Sequence, residues 1–507
     1  MEGSRTGKAL KNVGFSILSQ ALTLILSFVS RTFFIKFFGI EYLGLNGLFA
    51  DVLGLLSMAD LGFTIAMVYS FYEPLANHDE KKLAGLITFY KRVYTYIAIA
   101  VALIGIVLLP VLPYIINYDT TIPNINIYYL ISLFNVIISY LWVYRAAILT
   151  ADQQEYRIKK ISMIISIITT FVQIVVMYVL QNYIVYLLIS TVSSLINNMI
   201  ASWTAVRLYP YIKIKVEITK KEKIDIFKNL GSVFVFKVSN VLINATDNIL
   251  ISILVGTVVV GYYSNYSMIQ KQIMAFYSLL FTSMTASIGN LIVEASPENR
   301  YKVFKCQQSM SFLLCIVIVP CFALLINDFI RIWLGNSYNL DLLTLVAICL
   351  NMYLACVLQP LWTYREATGL YRKTKWIMLI CAIENIILSI ILGKIMGLAG
   401  ILLASALSRL STYIWYEPRI LYKEYFEVGP QNYYLSIVKN FALIVVVFII
   451  SSVIANKIIA DSIWTWIVKA LIVGIFCVTF AMFVYWNSDG VVYIRKKIKE
   501  SCCRYGY

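Results

Sequence analysis

Apolar stretches long enough to cross a bilayer recur from one end of this chain to the other. An early one, residues 14–30, reads GFSILSQALTLILSFVS. A hydrocarbon layer about 30 Å thick takes about 20 residues of helix to cross. In lipid each peptide N–H and C=O must find a partner within the protein, so such a run folds as a helix. Fourteen runs fit: 12–37, 43–73, 84–112, 124–149, 160–180, 183–208, 230–254, 258–290, 304–326, 341–366, 375–394, 397–420, 435–456 and 463–486. A membrane barrel would need segments of about ten residues alternating apolar and polar, and the runs do not alternate. Only 13% of the residues are charged, against about a quarter in soluble domains. The expected fold class is an all-α polytopic membrane protein with about 14 transmembrane helices. The first run follows Arg5, Lys8 and Lys11 without a small-residue cleavage site, and reads as a retained helix.

A net charge of +16 invites a nucleic-acid reading, but the cations fall in alternate loops. One side carries Lys81, Lys82, Lys91 and Arg92, then Arg157, Lys159 and Lys160, then Lys213 to Lys223. The same side continues with Arg300, Lys302, Lys305, Arg372, Lys373, Lys375, Arg419, Lys423, and a tail with Arg495, Lys496, Lys497, Lys499 and Arg504. The other side has little beyond Lys36, Arg331, Lys394 and Lys457. This is the positive-inside bias. It predicts an even number of spans and both termini in the cytoplasm, with the bilayer and not nucleic acid as the partner. The nine cysteines, Cys502 and Cys503 of the tail included, show no metal-binding or disulfide spacing and read as reduced. His78, the single histidine, reads as a solvated loop residue beside Asp79 and Glu80. No cofactor or metal is expected.

Internal repetition organises the chain. KNVG at 11–14 returns as KNLG at 228–231, an offset of 217 from Lys11 to Lys228. The same offset carries GIEYLG (39–44) onto GTVVVG (256–261). LWVYRAA (141–147) matches LWTYREA (361–367), and residues 110–117 match 320–327. Each copy holds six spans. Six is even, so both copies enter from the same side, and the repeats are parallel about an axis along the membrane normal. The expected domains are a first lobe at 1–209, a basic cytoplasmic linker at 210–229, a second lobe at 230–424, a C-terminal helix hairpin at 425–488 and a basic tail at 489–507. Two such lobes suit alternating access, with a substrate site near mid-membrane.

Candidate site residues come from polarity at helical spacing. Gln20, Thr23, Ser27 and Ser30 share one face of the first helix. The offset of 217 maps them onto Lys237, Asn240, Asn244 and Asp247. Hydroxyls and amides also bind helices to one another. A charge at mid-bilayer, however, costs about 2.5–3.5 kcal/mol, so it faces a partner or water. Arg31, Lys237, Lys271 and Arg409 are the cations at that depth, and Asp51, Asp60, Asp247 and Glu384 the acids. Arginine forks and lysine point charges are the usual partners of phosphate, which points to an anionic cargo. The alternative is internal pairing of Lys237 with Asp247 or Glu384. The acids equally suit a cation or proton site. Arg145 and Arg365, near helix ends, are expected to snorkel to headgroups, and Lys439 and Lys469 to be interfacial.

The GxxYLG turn, the string LSMADLGF (56–63) and the six-plus-six arrangement resemble the bacterial polysaccharide-precursor flippases of the multidrug/oligosaccharidyl-lipid/polysaccharide exporter superfamily. That resemblance implies a V-shaped pair of lobes. It implies transport of an undecaprenyl-diphosphate-linked oligosaccharide from the inner to the outer leaflet of the bacterial cytoplasmic membrane. A cationic cavity would hold the diphosphate and first sugars, with Arg31, Lys237, Lys271 and Arg409 as its residues. Asp60, Asp247 and Glu384 would serve any coupling to Na+ or H+, and the glycosyltransferases and polymerase of the same pathway are candidate partners. A cation-coupled multidrug exporter of the same superfamily is the nearest alternative. A membrane glycosyltransferase or polymerase is the next, but short outer loops and the lack of a catalytic constellation speak against an enzyme.

Overall fold

A computed structural model describes residues 5–60, 63–117, 122–493 and 495. Leu61 and Gly62 of the ADLG string lie outside the described residues. So do Cys502, Cys503, Lys496, Lys497, Lys499 and Arg504 of the tail, and the side chains of Arg5, Lys8 and Lys228. Among the described residues all regular structure is helical.

The chain divides into two compact units at Ser264/Asn265. The first contains α1 (Arg5–Leu56), α2 (Phe63–Ala76), α3 (Glu80–Val107), the single turn α4 (Leu112–Ile115), α5 (Ile125–Ala151), α6 (Glu155–Val179), α7 (Tyr183–Leu208), α8 (Lys220–Ala245), α9 (Asp247–Leu254) and the start of α10 (Thr257–Thr282). The second completes α10 and adds α11 (Thr285–Glu294), α12 (Pro297–Leu334), α13 (Leu342–Thr368), α14 (Tyr371–Ser411), α15 (Tyr413–Leu421), α16 (Gln431–Ala455) and α17 (Ile463–Tyr485). Residues 230–264, expected with the second lobe, thus pack in the first unit. The reasons are local and are given below.

Eleven helical segments among the described residues are long and apolar enough to span a bilayer. The chain is a multi-pass membrane protein. Two of the eleven are double-length and bend at a glycine. Lys11–Asp60 turns at Gly39 (φ +86°) and Tyr371–Phe426 at Gly397 (φ +60°). Both are backbone conformations that a side chain would strain. α10, with Asn265, Gln270, Lys271 and Gln272, is more polar and is not among the eleven. Five expected continuous spans are interrupted. The second breaks into a 3-10 turn at Ser57–Asp60, the third after Val107, the seventh between Ala245 and Asp247, the eighth between Thr282 and Thr285, and the twelfth between Ser411 and Tyr413.

The repeated turn explains why α9 and the start of α10 join the first unit. Gly39 and Gly256 (φ +140°) occupy equivalent places in the two copies. Five residues beyond each, Gly44 and Gly261 meet the other copy at backbone distance. A Cβ on Gly44 would run into the carbonyl oxygen of Thr257, and one on Gly261 into that of Ile40. Ile40 and Thr257 are themselves 217 residues apart, so the contact is reciprocal. Small residues permit this approach of helices in a membrane. Hydrogen bonds fasten it. Thr257 N–H donates to Asn117 O at 2.9 Å, Asn117 N–H to Thr257 Oγ1 at 2.9 Å, and Ser252 Oγ to Ile115 O at 2.7 Å.

The 210–229 segment is docked, not loose. Ile212 and Ile218 are buried, with Ile218 against Gly85 of α3. Arg92 donates to Glu217 Oε1 at 2.8 Å and holds that carboxyl below the usual carboxylate range. A Thr219/Glu222 capping box then starts α8.

In the second unit α12 packs against α13, α16 and α17. Lys469, expected to be interfacial, is buried within the protein. It donates to Asp328 Oδ2 at 2.7 Å, Arg331 donates to Asp328 Oδ1 at 2.9 Å, and Arg331 also donates to Ala460 O at 2.9 Å. This network fixes the C-terminal hairpin to α12. Arg365 does not snorkel either. It is 7% exposed and ion-paired with Glu417 of α15. The α15 segment folds back towards α13 and supplies a buried carboxylate before the guanidinium reaches a headgroup.

Overpacking costs about 1–3 kcal/mol where a neighbour can yield. A carbonyl in a helix yields less than a side chain. Gly44→Val and Gly261→Val are expected to lower the thermal midpoint of the detergent-purified protein sharply. Gly14→Val, with nothing near its Cβ position, is expected to leave it within experimental scatter.

Candidate functional site

Two helices of the first unit carry polar residues at helical spacing on their packed faces. α5 has Ser132, Asn135 and Ser139, spaced three and four apart, and α7 has Ser190, Thr191, Asn197 and Asn198. Each face lines a pair of adjoining cavities. One, about 440 Å³, is bounded by Asn46, Phe49, Asn135, Tyr186, Ser190 and their neighbours. The other, about 450 Å³, is bounded by Asp60, Thr64, Tyr94, Trp142, Asn197 and Lys237 among others. Ser139 and Tyr140 line both. Along α5 the lining runs from Ile131 to Thr150, which at 1.5 Å per residue is roughly 28 Å of groove.

The second cavity holds the charges. The 3-10 turn ends at Asp60 and aims its carboxylate inward. Asp60 is 4% exposed and forms an ion pair with Lys237 of α8. Thr64, one turn on in α2, donates to Asp60 Oδ2 at 3.0 Å, and Tyr94 OH of α3 donates to Asp60 Oδ1 at 3.1 Å. Thr64 and Tyr94 also meet at 2.9 Å. The carboxylate is therefore satisfied three ways, and the ammonium sits at the cavity wall. The expected partners of Lys237 were Asp247 or Glu384. The structure gives Asp60, which lies 177 residues away in sequence.

The other candidates lie elsewhere. Arg31 is half-buried and donates to Ser264 Oγ at 2.8 Å. Gln20, Ser27 and Ser30 are half-buried and Thr23 exposed, and none of them lines the two cavities. Asn240 and Asn244 are exposed and bonded to each other at 2.6 Å. Asp247 is half-buried at the start of α9. In the second unit Lys271 is exposed on α10. Arg409 donates to Asn351 Oδ1 at 3.3 Å, and Glu384 accepts from Ser411 at 2.5 Å. Of the four cations, the first unit thus holds Arg31 and Lys237, and the second Lys271 and Arg409. Thr64, Tyr94, Asn135, Tyr140, Trp142, Asn197 and Asn198 are site residues that the sequence reading passed over. The periodicity that singled out the first helix would have found those of α5 and α7.

The sequence profile of a family described as "Polysaccharide biosynthesis protein" matches residues 57–340, more than half of the chain. The chain belongs to the polysaccharide biosynthesis protein family. A search of curated protein sequences finds no match. Among solved structures, this family member shares its fold with the lipid II flippase MurJ in an inward closed conformation. The TM-score is 0.66 at 17% identity, over 93% of this chain and 99% of that one. An inward-facing multidrug resistance MATE transporter of the MOP superfamily matches with a TM-score of 0.59 at 14% identity, over 78% of this chain and 93% of that one. A MOP superfamily transporter from Pyrococcus furiosus, described by the reverse polarity of its binding pocket, matches at 0.53 and 13% identity over 83% and 97%. The polysaccharide biosynthesis protein described here therefore has the MOP transporter fold.

Removing one member of a buried ion pair costs about 3–5 kcal/mol where the other is left uncompensated, and the bonds that Asp60 keeps from Thr64 and Tyr94 reduce that cost here. Lys237→Met should lower the thermal midpoint measurably without unfolding the protein. The Lys237→Met/Asp60→Leu double variant should recover at least half of the loss. A double variant no more stable than the single would show that the pair carries no coupling.

Proposed function

We propose that this protein is a flippase. Its cargo is an undecaprenyl-diphosphate-linked oligosaccharide, the repeat unit of a polysaccharide, moved from the inner to the outer leaflet of the bacterial cytoplasmic membrane by alternating access, with both termini cytoplasmic. The observation that carries the reading is Lys237, a cation within a membrane-spanning segment at a cavity wall, in a member of a polysaccharide biosynthesis family. A diphosphate offers Lys237 more charge and more acceptor oxygens than one carboxylate does. Arg31, Lys271 and Arg409 are the further candidate phosphate contacts. The work is transport and not catalysis. Glycosyltransferases and a polymerase of the same pathway would supply and consume the cargo.

Asp60 is the group through which a proton or Na+ gradient would act. Neutralising it releases Lys237 for an anion. Asp247 and Glu384 are the other candidates for coupling. A multidrug exporter of the same superfamily would use an acid–aromatic cavity for cationic drugs, and Asp60, Tyr94 and Trp142 have that composition. Lys237 already neutralises Asp60, which weighs against it.

A charge-assisted hydrogen bond contributes about 1.5–3 kcal/mol, or roughly ten- to a hundredfold in binding. Lys237→Ala, alone or with Arg31→Ala, is expected to cut outer-leaflet delivery of lipid-linked glycan at least tenfold at unchanged membrane level. Asp60→Asn is expected to bind undecaprenyl diphosphate more tightly than wild type. Full delivery by the Arg31→Ala/Lys237→Ala protein would overturn the reading. Gradient-driven ethidium efflux with no binding of undecaprenyl diphosphate would favour the drug exporter.

A further inference from the structure

The cavity without charges has a chemistry of its own. Its lining is Asn46, Ser132, Asn135, Ser139, Ser190 and Thr191 beside the rings of Phe49, Tyr140 and Tyr186, and it contains no acid or base. The hydroxyls are oriented by their own helices. Ser132 donates to Tyr128 O at 2.8 Å, Ser139 to Val136 O at 2.6 Å, Ser190 to Tyr186 O at 3.3 Å and Thr191 to Leu187 O at 3.0 Å. Each proton is spent on the backbone, so each oxygen is an acceptor; that of Ser190 already accepts from Gln173 Nε2 at 2.7 Å, which leaves Ser132, Ser139 and Thr191. Asn135 Oδ1 is a buried acceptor with no hydrogen-bond partner. A buried acceptor left unpaired costs about 1–3 kcal/mol, and a ligand donor can recover that.

We infer that this cavity is a saccharide subsite that takes the lipid-proximal sugar of the cargo, with Asn135 as an anchoring acceptor. A sugar ring presents several O–H donors at its edge and C–H faces that lie against Tyr140 and Tyr186. The neutral lining gives neither a phosphate nor an organic cation a counter-charge, and the volume of about 440 Å³ lies within the roughly 300–1,000 Å³ of small-ligand pockets. Ser139 and Tyr140 form the shared wall with the Lys237 cavity, so a diphosphate on Lys237 carries its first sugar across that wall. The inference rests in this last step on the flippase reading. It gives the groove along α5 a direction, phosphate towards Thr150 and glycan towards Ile131.

The test uses the full-length protein in lipid nanodiscs. The probes are undecaprenyl diphosphate, bare or bearing one glucose, galactose, N-acetylglucosamine or N-acetylgalactosamine. At least one sugar-bearing lipid should bind about tenfold more tightly than the bare lipid, equivalent to about 1.4 kcal/mol. Asn135→Leu should erase that preference and leave the bare lipid's affinity within about twofold, while Lys237→Ala weakens all five lipids alike. A diazirine on the preferred sugar should label residues 131–140 and 186–191. Equal binding of all five lipids to the wild type would overturn the subsite and leave the diphosphate reading standing. Sugar preference without dependence on Lys237 would keep the subsite and overturn that reading. Labelling confined to other helices would overturn the subsite whatever the variants do.

Discussion

The contact on which the first unit depends is made by two glycines against two carbonyls. Gly44 lies on Thr257 and Gly261 on Ile40, each without room for a methyl group. In water such a crossing would gain from the hydrophobic effect. In lipid the solvent is as apolar as the side chains, so close backbone packing has to hold the helices together. The two positive-φ glycines, Gly39 and Gly256, turn the chain so that these faces meet. Asn117 O then accepts from the Thr257 N–H beside the turn, Thr257 Oγ1 accepts from Asn117 N–H, and Ser252 Oγ donates to Ile115 O. With the crossing in place α8 lies beside α2, and Lys237 reaches Asp60.

The charges follow a related constraint. Water cannot solvate them at depth, so each embedded ion needs a partner supplied by a helix that the fold brings near. Arg365 finds Glu417, and Lys469 shares Asp328 with Arg331. The Arg365–Glu417 and Lys469–Asp328 pairs join helices, so they act as architecture. The Asp60–Lys237 pair differs because it borders a cavity. Its cost of burial is partly relieved by access to a polar space, and its partners can be exchanged without unfolding a helix.

Sequence period made the helices legible, because twenty apolar residues in lipid leave the backbone one solution. The repeat was legible through Gly39, Gly44 and their counterparts, because only glycine meets the demands of a positive φ and of backbone contact. The break at Ser57–Asp60 was not. It lies inside one long span and has no proline or glycine of its own to announce it. Pairing was hidden for another reason. Asp60 and Lys237 are 177 positions apart, and a search for partners along one helix or its repeat mate cannot find them. For Arg365 the expectation of snorkelling assumed an open helix end, whereas α15 covers that end with Glu417. The stripe on Gln20, Thr23, Ser27 and Ser30 was real in spacing, yet spacing says only that residues share a face. The faces that line the cavities belong to α5 and α7.

The exchangeable pair sets a limit on how the cavity can work. Lys237 in the empty protein is held by Asp60, so an anion gains only the difference between its own contact and the one it displaces. Asp60 is not stranded by that exchange, since Thr64 and Tyr94 still donate to it. Hydrogen bonds to a charged acceptor contribute about 1.5–3 kcal/mol each, enough to keep the displaced carboxylate from making release prohibitive. On the proposed function, the net preference for cargo would therefore be modest at the phosphate end. A carrier needs that, because a site that held a diphosphate with the full strength of an unpaired buried lysine would not let it go on the far side. Discrimination among cargoes would then have to come from contacts that do not involve charge, which is the role proposed for the neutral stretch of the groove along α5.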